Sequence, residues 1–214
     1  MITLYHCQDA RSFRCLWALE EMQLAYQLKP LAFPPRLHAP DFLQINPTGT
    51  VPLLIDGDQV LFESAAILEY LACRHGRGSL AMTCDDPHYG AWLNWLHFGE
   101  SSLTTPLATM LRYAFFEPEP RRQPAVVADY RVIYLDRLQL VERALQGHEY
   151  LVGDRFGVAD ISVGYAFMLA RMLKLDEVTP PNLLAYWNRL QQRPAYTAAK
   201  AAQKAAMATL ATAL

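Results

Sequence analysis

Asn46-Pro47-Thr48-Gly49-Thr50-Val51-Pro52-Leu53-Leu54 is a turn-rich loop that runs straight into an apolar strand. Asn-Pro and Thr-Gly are turn dipeptides, and Val51 to Ile55 has the length and character of a short buried strand. Proline has no N–H to give to a sheet ladder, so Pro52 belongs at the first position of its strand, at an edge or at a bulge. Two geometries satisfy this. A trans Pro52 simply opens the strand, and it is the commoner state, since only about one X-Pro bond in twenty is cis in folded proteins. A cis bond turns the chain at Val51 and leaves the N–H and C=O of that residue for an extended peptide to pair with, as an added strand would.

Downstream, Asp56-Gly57-Asp58 is a hairpin turn between Leu53-Leu54-Ile55 and Gln59-Val60-Leu61-Phe62. Ala65, Ala66, Ile67, Leu68, Tyr70, Leu71 and Ala72 then form a helix that is apolar around much of its circumference, hence buried. Ser64 falls at its N-cap or first turn, where free N–H groups and the positive end of the helix dipole favour an anion. Glu63 beside it attracts an ammonium group. A serine cap alone is ordinary; Glu63-Ser64 one hairpin after Val51-Pro52 is specific. A ligand with an amino and a carboxylate group at one end and a strand-like middle is a γ-glutamyl tripeptide.

These residues resemble those of the cytosolic glutathione transferase family. The family's loop pattern is matched at Asn46, Pro47, Gly49, Val51, Pro52 and Leu54, and its helix-opening pair at Glu63 and Ser64. The resemblance implies glutathione as co-substrate, held by the backbone of Val51 at the Pro52 turn and by Glu63 and Ser64 at the γ-glutamyl end. Thr50 or His38 is expected near the glycyl carboxylate. It also implies a homodimer.

The rest of the chain extends the resemblance. Ile2 to Tyr5 reads as a strand, Arg11 to Met22 as a helix, Tyr26-Gln27-Leu28 as a strand, and Asp41 to Ile45 as a short helix. This β-α-β-α-β-β-α order predicts a thioredoxin-like domain over residues 1–78, with a four-stranded mixed sheet whose last two strands are antiparallel because so short a turn joins them. The pattern lapses between Gly76 and Pro87. From there onward only helical spacing appears, so residues 86–214 are expected to form an all-helical domain: Tyr89 to Met110, a break at Glu117-Pro118-Glu119-Pro120, then Val126 to Leu145. Around Gly153 to Ile161 the chain is similar to the family's helix-opening box, with Asp160 present and Gly157 where a Ser or Thr should stand. Half of the reciprocal cap is therefore missing.

Composition excludes several classes. Of 214 residues, 52% are hydrophobic and 19% charged, with a net charge of -2 and no basic run, which argues against nucleic acid and against electrostatic attachment to membranes. The apolar run from Ile161 to Ala170 is too short to span a bilayer. No leader pattern precedes Ile2, so the cytoplasm is the expected location. The four cysteines, Cys7, Cys15, Cys73 and Cys84, show neither zinc-site pairs nor a Cys-x-x-Cys motif, and no metal is expected.

Conjugation needs a glutathione thiolate, and a free thiol with a pKa of about 8.5 is mostly protonated at neutral pH. The family places a Tyr, Ser or Cys in the loop between the first strand and helix. Here that loop reads Tyr5-His6-Cys7-Gln8-Asp9-Ala10-Arg11-Ser12, and Ala10 stands where Ser-type relatives carry their hydroxyl. Ser12 at the helix start is the first substitute, with Arg11 or the adjacent N–H groups as electrostatic alternatives. Cys7 beside His6 supports a different chemistry, a mixed disulfide with glutathione in a thiol-exchange or reductive enzyme. A family-fold protein that binds glutathione without turnover is the third reading. Trp95, His97, Phe98, Glu100, Ser101 and Ser102, with Tyr113, Phe115 and Phe116, are candidates for a pocket that takes a small apolar electrophile.

Overall fold

The computed structural model describes residues 1–213, which form two units: Met1–Ala81 together with the chain from Gln191 onward, and Met82–Leu190. The first unit begins with β1 (Ile2–His6), α1 (Ser12–Glu21), β2 (Tyr26–Pro30), α2 (Pro35–His38), α3 (Phe42–Ile45), β3 (Leu53–Asp56), β4 (Gln59–Leu61) and α4 (Ser64–Arg74). Its sheet has the order β2-β1-β3-β4. The α1 crossover makes β1 and β2 parallel, with Ile2 opposite Tyr26. β3 runs antiparallel to both neighbours, with Leu54 opposite Leu4 on one side and Leu61 on the other. This is the mixed thioredoxin-like sheet that the element order predicts. Leu4, Leu54, Leu16 and Ile67 are fully buried in the core between the strands and the paired helices α1 and α4.

Gly49 is demanded by two independent constraints. Its φ is +60°, and a Cβ there would lie 2.7 Å from Arg36 Cβ and 2.8 Å from Leu43 Cδ2, so any side chain would both strain the backbone and push α2 and α3 away from the loop.

The second unit is helical. α5 (Tyr89–Phe98) passes through a π-helical turn at Gly99–Thr104 into α6 (Thr105–Leu111), and a second π turn covers Arg112–Phe116. Sequence spacing predicts one helix over 89–110; the structure widens it in the middle, where Pro106 lacks the N–H that would continue a regular ladder. α7 (Pro124–Ala144), α8 (Val158–Met172) and α9 (Pro181–Gln191) complete the unit. α8 is buried from Val158 to Ala170, which accounts for its apolar residues on every face. It meets α5 closely at Gly99, where a Cβ would lie 2.4 Å from Ser162 Oγ, and the Ser162 hydroxyl donates to Leu96 O at 2.7 Å.

The retained half of the cap is present at the head of α8. Asp160 Oδ2 accepts from Gly157 N at 2.9 Å, while Asp160 Oδ1 accepts from Leu151 N at 3.1 Å and from the Tyr186 hydroxyl at 2.8 Å. One buried carboxylate thus ties a loop, a helix start and α9 together.

α10 (Pro194–Ala213) belongs with the first unit, whereas sequence patterning assigns it to a helical domain over 86–214. It packs along α1: the Tyr196 ring meets Trp17 edge-on at 5.0 Å and Phe13 at 5.5 Å, and Ala199 is fully buried. Arg193 forks onto Glu21 at 2.6 and 2.8 Å. The small alanine side chains allow this close approach, and helical periodicity alone says nothing about which neighbour they approach.

Candidate functional site

The Val51-Pro52 bond is cis. Pairing of β3 with β1 begins at Leu53, opposite Tyr5, so Val51 lies outside the ladder, half-buried, at the edge where the chain leaves β1. The loop before it is organised by the Asn46 amide, whose Nδ2 donates to Thr50 O at 2.9 Å and whose Oδ1 accepts from Thr48 N at 3.2 Å and Thr48 Oγ1 at 2.8 Å. Thr50 and His38 are both exposed, His38 as the last residue of α2.

Glu63 sits at the N-cap of α4 in extended conformation and is exposed, while Ser64, the first residue of the helix, is 2% exposed. Ser64 Oγ accepts a hydrogen bond of 3.2 Å from Arg14 Nη1, and Arg14 is fully buried. Sequence reasoning missed Arg14. A signal existed, because Arg14 adjoins Cys15 and Leu16 within the apolar pattern of α1, and a charged residue on a buried face needs a partner. The guanidinium adds fixed positive charge behind the first-turn N–H groups of α4, so this helix start is suited to a carboxylate. The start of α1 is thereby tied to the start of α4. The register of β1 against β3 brings the loop after β1 beside Val51, so three segments converge at one end of the first unit.

The β1-α1 loop differs from expectation at two of its candidates. Cys7 is fully buried, its thiol lies 3.9 Å from Ala32 O, and burial pushes its pKa up to about 12. A thiol so protonated and covered is unsuited to attack a disulfide. Ser12 is also fully buried, with its Oγ 2.9 Å from His6 Nδ1 and 3.3 Å from Cys7 N. His6 Nε2 faces Gln203 Oε1 at 3.2 Å, an acceptor, so the imidazole proton resides on Nε2 and Nδ1 accepts the single hydroxyl hydrogen of Ser12. That hydrogen points into the protein, away from a ligand. Ala10 and Arg11 are half-buried, with Arg11 at the N-cap of α1. Tyr5 packs on Phe42 at 5.2 Å, within the sheet.

Cys7→Ala is accordingly expected to leave turnover largely unchanged and to lower stability by about 1 kcal/mol through the small void it creates. Initial rates and chemical denaturation check this, and loss of activity would restore Cys7 as the nucleophile.

In the second unit Trp92 is 1% exposed and belongs to the core, whereas Trp95 is half-buried against Phe98 at 5.1 Å. His97 and Ser101 are exposed, joined by a 2.9 Å bond from Ser101 Oγ to His97 O, and Glu100, Ser102 and Tyr113 are half-buried. Phe115 and Phe116 are more than half exposed at 55% and 56%. Among the described residues, no group of three or more His, Cys, Asp or Glu side chains is arranged to hold a metal ion, and no helix is long and apolar enough to cross a membrane.

Comparison with known proteins gives one consistent picture. Residues 1–73 match the family model for the glutathione S-transferase N-terminal domain, and residues 104–194 match that for the C-terminal domain. Glutathione S-transferase GstB of Escherichia coli (strain K12) is 32% identical, covering 91% of this chain and 95% of the relative. Glutathione S-transferase 3 of Zea mays is also 32% identical, covering 86% and 85% of the two chains. A crystal structure of a glutathione transferase from Methylococcus capsulatus superposes with a TM-score of 0.85 at 31% identity, covering 95% of this chain and 99% of the other. A sphingomonad glutathione S-transferase solved in complex with glutathione superposes with a TM-score of 0.83 at 26% identity, covering 94% and 98%.

Proposed function

The chain belongs to the glutathione S-transferase family, and on that premise we propose that it conjugates the glutathione thiolate to small apolar electrophiles. The observation behind this reading is the convergence of Val51, the Arg14-backed start of α4 and the start of α1 at one end of the first unit. In this reading the backbone of Val51 pairs with the cysteinyl residue of glutathione. Ser64, with its hydroxyl and N–H, takes the γ-glutamyl carboxylate, and Glu63 takes the ammonium group. Thr50 or His38 takes the glycyl carboxylate.

The sulfur then falls near the loop from Cys7 to Arg11. With Ala10 bare, the Ser12 hydrogen given to His6, and Phe13 N and Arg14 N donating to Ala10 O and Arg11 O, stabilisation of the thiolate rests on the remaining N–H groups at the head of α1, the dipole behind them and Arg11. The thiolate attacks an electrophilic carbon, a carbon–sulfur bond forms, and the leaving group departs with its electron pair or the electrophile takes up a proton. The protein contributes binding, orientation and a lowered thiol pKa. The electrophile is received by half-buried and exposed side chains of α5, the π turns and α6, Trp95, Tyr113, Phe115 and Phe116 among them. The working form is a cytoplasmic homodimer, and removal of reactive electrophiles is its role.

Ser64→Ala tests the assignment. Glutathione affinity is expected to fall about tenfold, or roughly 1.4 kcal/mol, with turnover at saturating glutathione kept. Titration calorimetry measures the first and initial rates the second. Unchanged affinity in a folded variant would move the γ-glutamyl end elsewhere.

A further inference from the structure

We propose that Gln203, on the C-terminal helix, is a positioning residue that holds the β1-α1 loop in the shape its thiol chemistry requires. The proposal rests on the reading above, in which that loop faces the glutathione sulfur. Three observations carry it. The first is backbone geometry: Asp9, in the middle of the loop, has φ +54°, a left-handed conformation that is uncommon outside glycine and persists where the surroundings over-determine it.

The second is a set of restraints on that residue from α10. Gln203 Nε2 donates to Asp9 Oδ1 at 2.8 Å, Asp9 N donates to Gln203 Oε1 at 3.2 Å, and Lys200 Nζ lies 2.6 Å from Asp9 Oδ1. Gln203 therefore pairs with both the backbone and the carboxylate of Asp9. The carboxylate also fixes which way the amide points, since only the NH2 group can face it.

The third is what the same amide does to the start of the loop. Its Oε1 takes the His6 Nε2 proton at 3.2 Å, which leaves His6 Nδ1 to accept from Ser12 Oγ at 2.9 Å, and Ser12 Oγ then accepts from Cys7 N at 3.3 Å. One side chain on α10 thus ties the loop at Cys7, through two intermediaries, and at Asp9 directly. Ala10 and Arg11 come next, where the chain enters α1 and where the thiolate donors are assigned. Gln203 is 2% exposed on a helix otherwise rich in alanine, and burying an amide is unfavourable unless its hydrogen bonds are all made.

The test is Gln203→Met, close in size and without hydrogen bonds, with Lys200→Met as a second variant that removes the outer tie to Asp9 together with the ammonium that lies 5.2 Å from the centre of the Phe13 ring. With an activated aryl chloride as electrophile, Gln203→Met is expected to lower kcat about tenfold while KM for glutathione stays within about twofold. Ultraviolet titration of the bound thiol should show its pKa moving back toward that of free glutathione. In the glutathione-free protein, amide exchange over residues 8–11 should accelerate about tenfold or more, with exchange in β3 unchanged. Lys200→Met should show the same changes in smaller measure. Wild-type kcat or wild-type loop exchange in a folded Gln203→Met protein overturns the proposal, as does a loss confined to KM. If Gln203→Met does not fold, wild-type kcat and exchange in Lys200→Met overturn it. If the wild-type protein binds no glutathione, the assignment of the site fails by itself, and loop exchange still decides whether Gln203 holds the loop.

Discussion

Asp160→Ala is expected to destabilise the helical unit by about 3–5 kcal/mol, the largest effect of any single substitution considered, because removing one partner of a buried polar network leaves the others unsatisfied. Asp160 is 1% exposed and accepts from two backbone N–H groups, of Gly157 and Leu151, and from the Tyr186 hydroxyl. Alanine leaves all three donors buried without an acceptor and adds a small void. Asp160→Asn keeps one carbonyl oxygen but turns an NH2 group toward at least one donor, so its loss should fall between the alanine variant and wild type. Guanidinium denaturation followed by tryptophan fluorescence measures both. A cost below about 1 kcal/mol for the alanine variant would mean that the network is dispensable.

Acid should weaken the first unit through His6. The imidazole is fully buried, and burial, the largest influence, lowers its pKa from 6.5 to about 4, against smaller upward effects from Gln203 and Asp9. Between these values the unfolded chain binds a proton that the folded chain refuses, so stability rises with pH across that window. The stabilisation is fully present above pH 6.5, declines as pH falls, and is lost by about pH 4, for a total of about 3 kcal/mol. The cause is burial, which strips the charged imidazolium of its hydration, with the Lys200 ammonium adding a smaller effect in the same direction. Asp9 behaves oppositely in charge: burial pushes its carboxyl up, but hydrogen bonds from Lys200 and Gln203 together hold it below its ordinary value. His6→Gln should flatten the pH dependence between about 6.5 and 4, as read by denaturant midpoints at a series of pH values. A wild-type slope in that variant would assign the acid sensitivity to other groups.

What the sequence disclosed was local. Turn dipeptides and a strand-opening proline are decided by neighbours in the chain, so the loop from Asn46 to Pro52, the Asp56 to Asp58 hairpin and the start of α4 could be read directly. Alternation and helical spacing likewise marked β1, β2 and α1. The rest depended on partners far along the chain. Arg14 meets Ser64 across fifty residues, and Gln203 meets His6 across 197. Neither pairing leaves a periodic trace. Cys7 and Ser12 are chemistry-bearing residues at the head of α1, and their type alone does not say that the chain folds both side chains inward. At Gly157, a missing hydroxyl suggested half a cap; the backbone C=O of Gly157 accepts from Asp160 N at 3.0 Å in place of the lost side chain.

The return of α10 to α1 also governs how the polypeptide matures. Phe13 and Trp17 are shielded by Tyr196, a residue made after the whole of Met82–Leu190. On a ribosome, which releases the chain from its N-terminal side, Met82–Leu190 is complete and free to collapse while the earlier segment still waits for α10. The segment made before Met82–Leu190 is therefore finished after it, and a transcript cut short after α9 would yield a product with an aromatic seam open to chaperones and proteases.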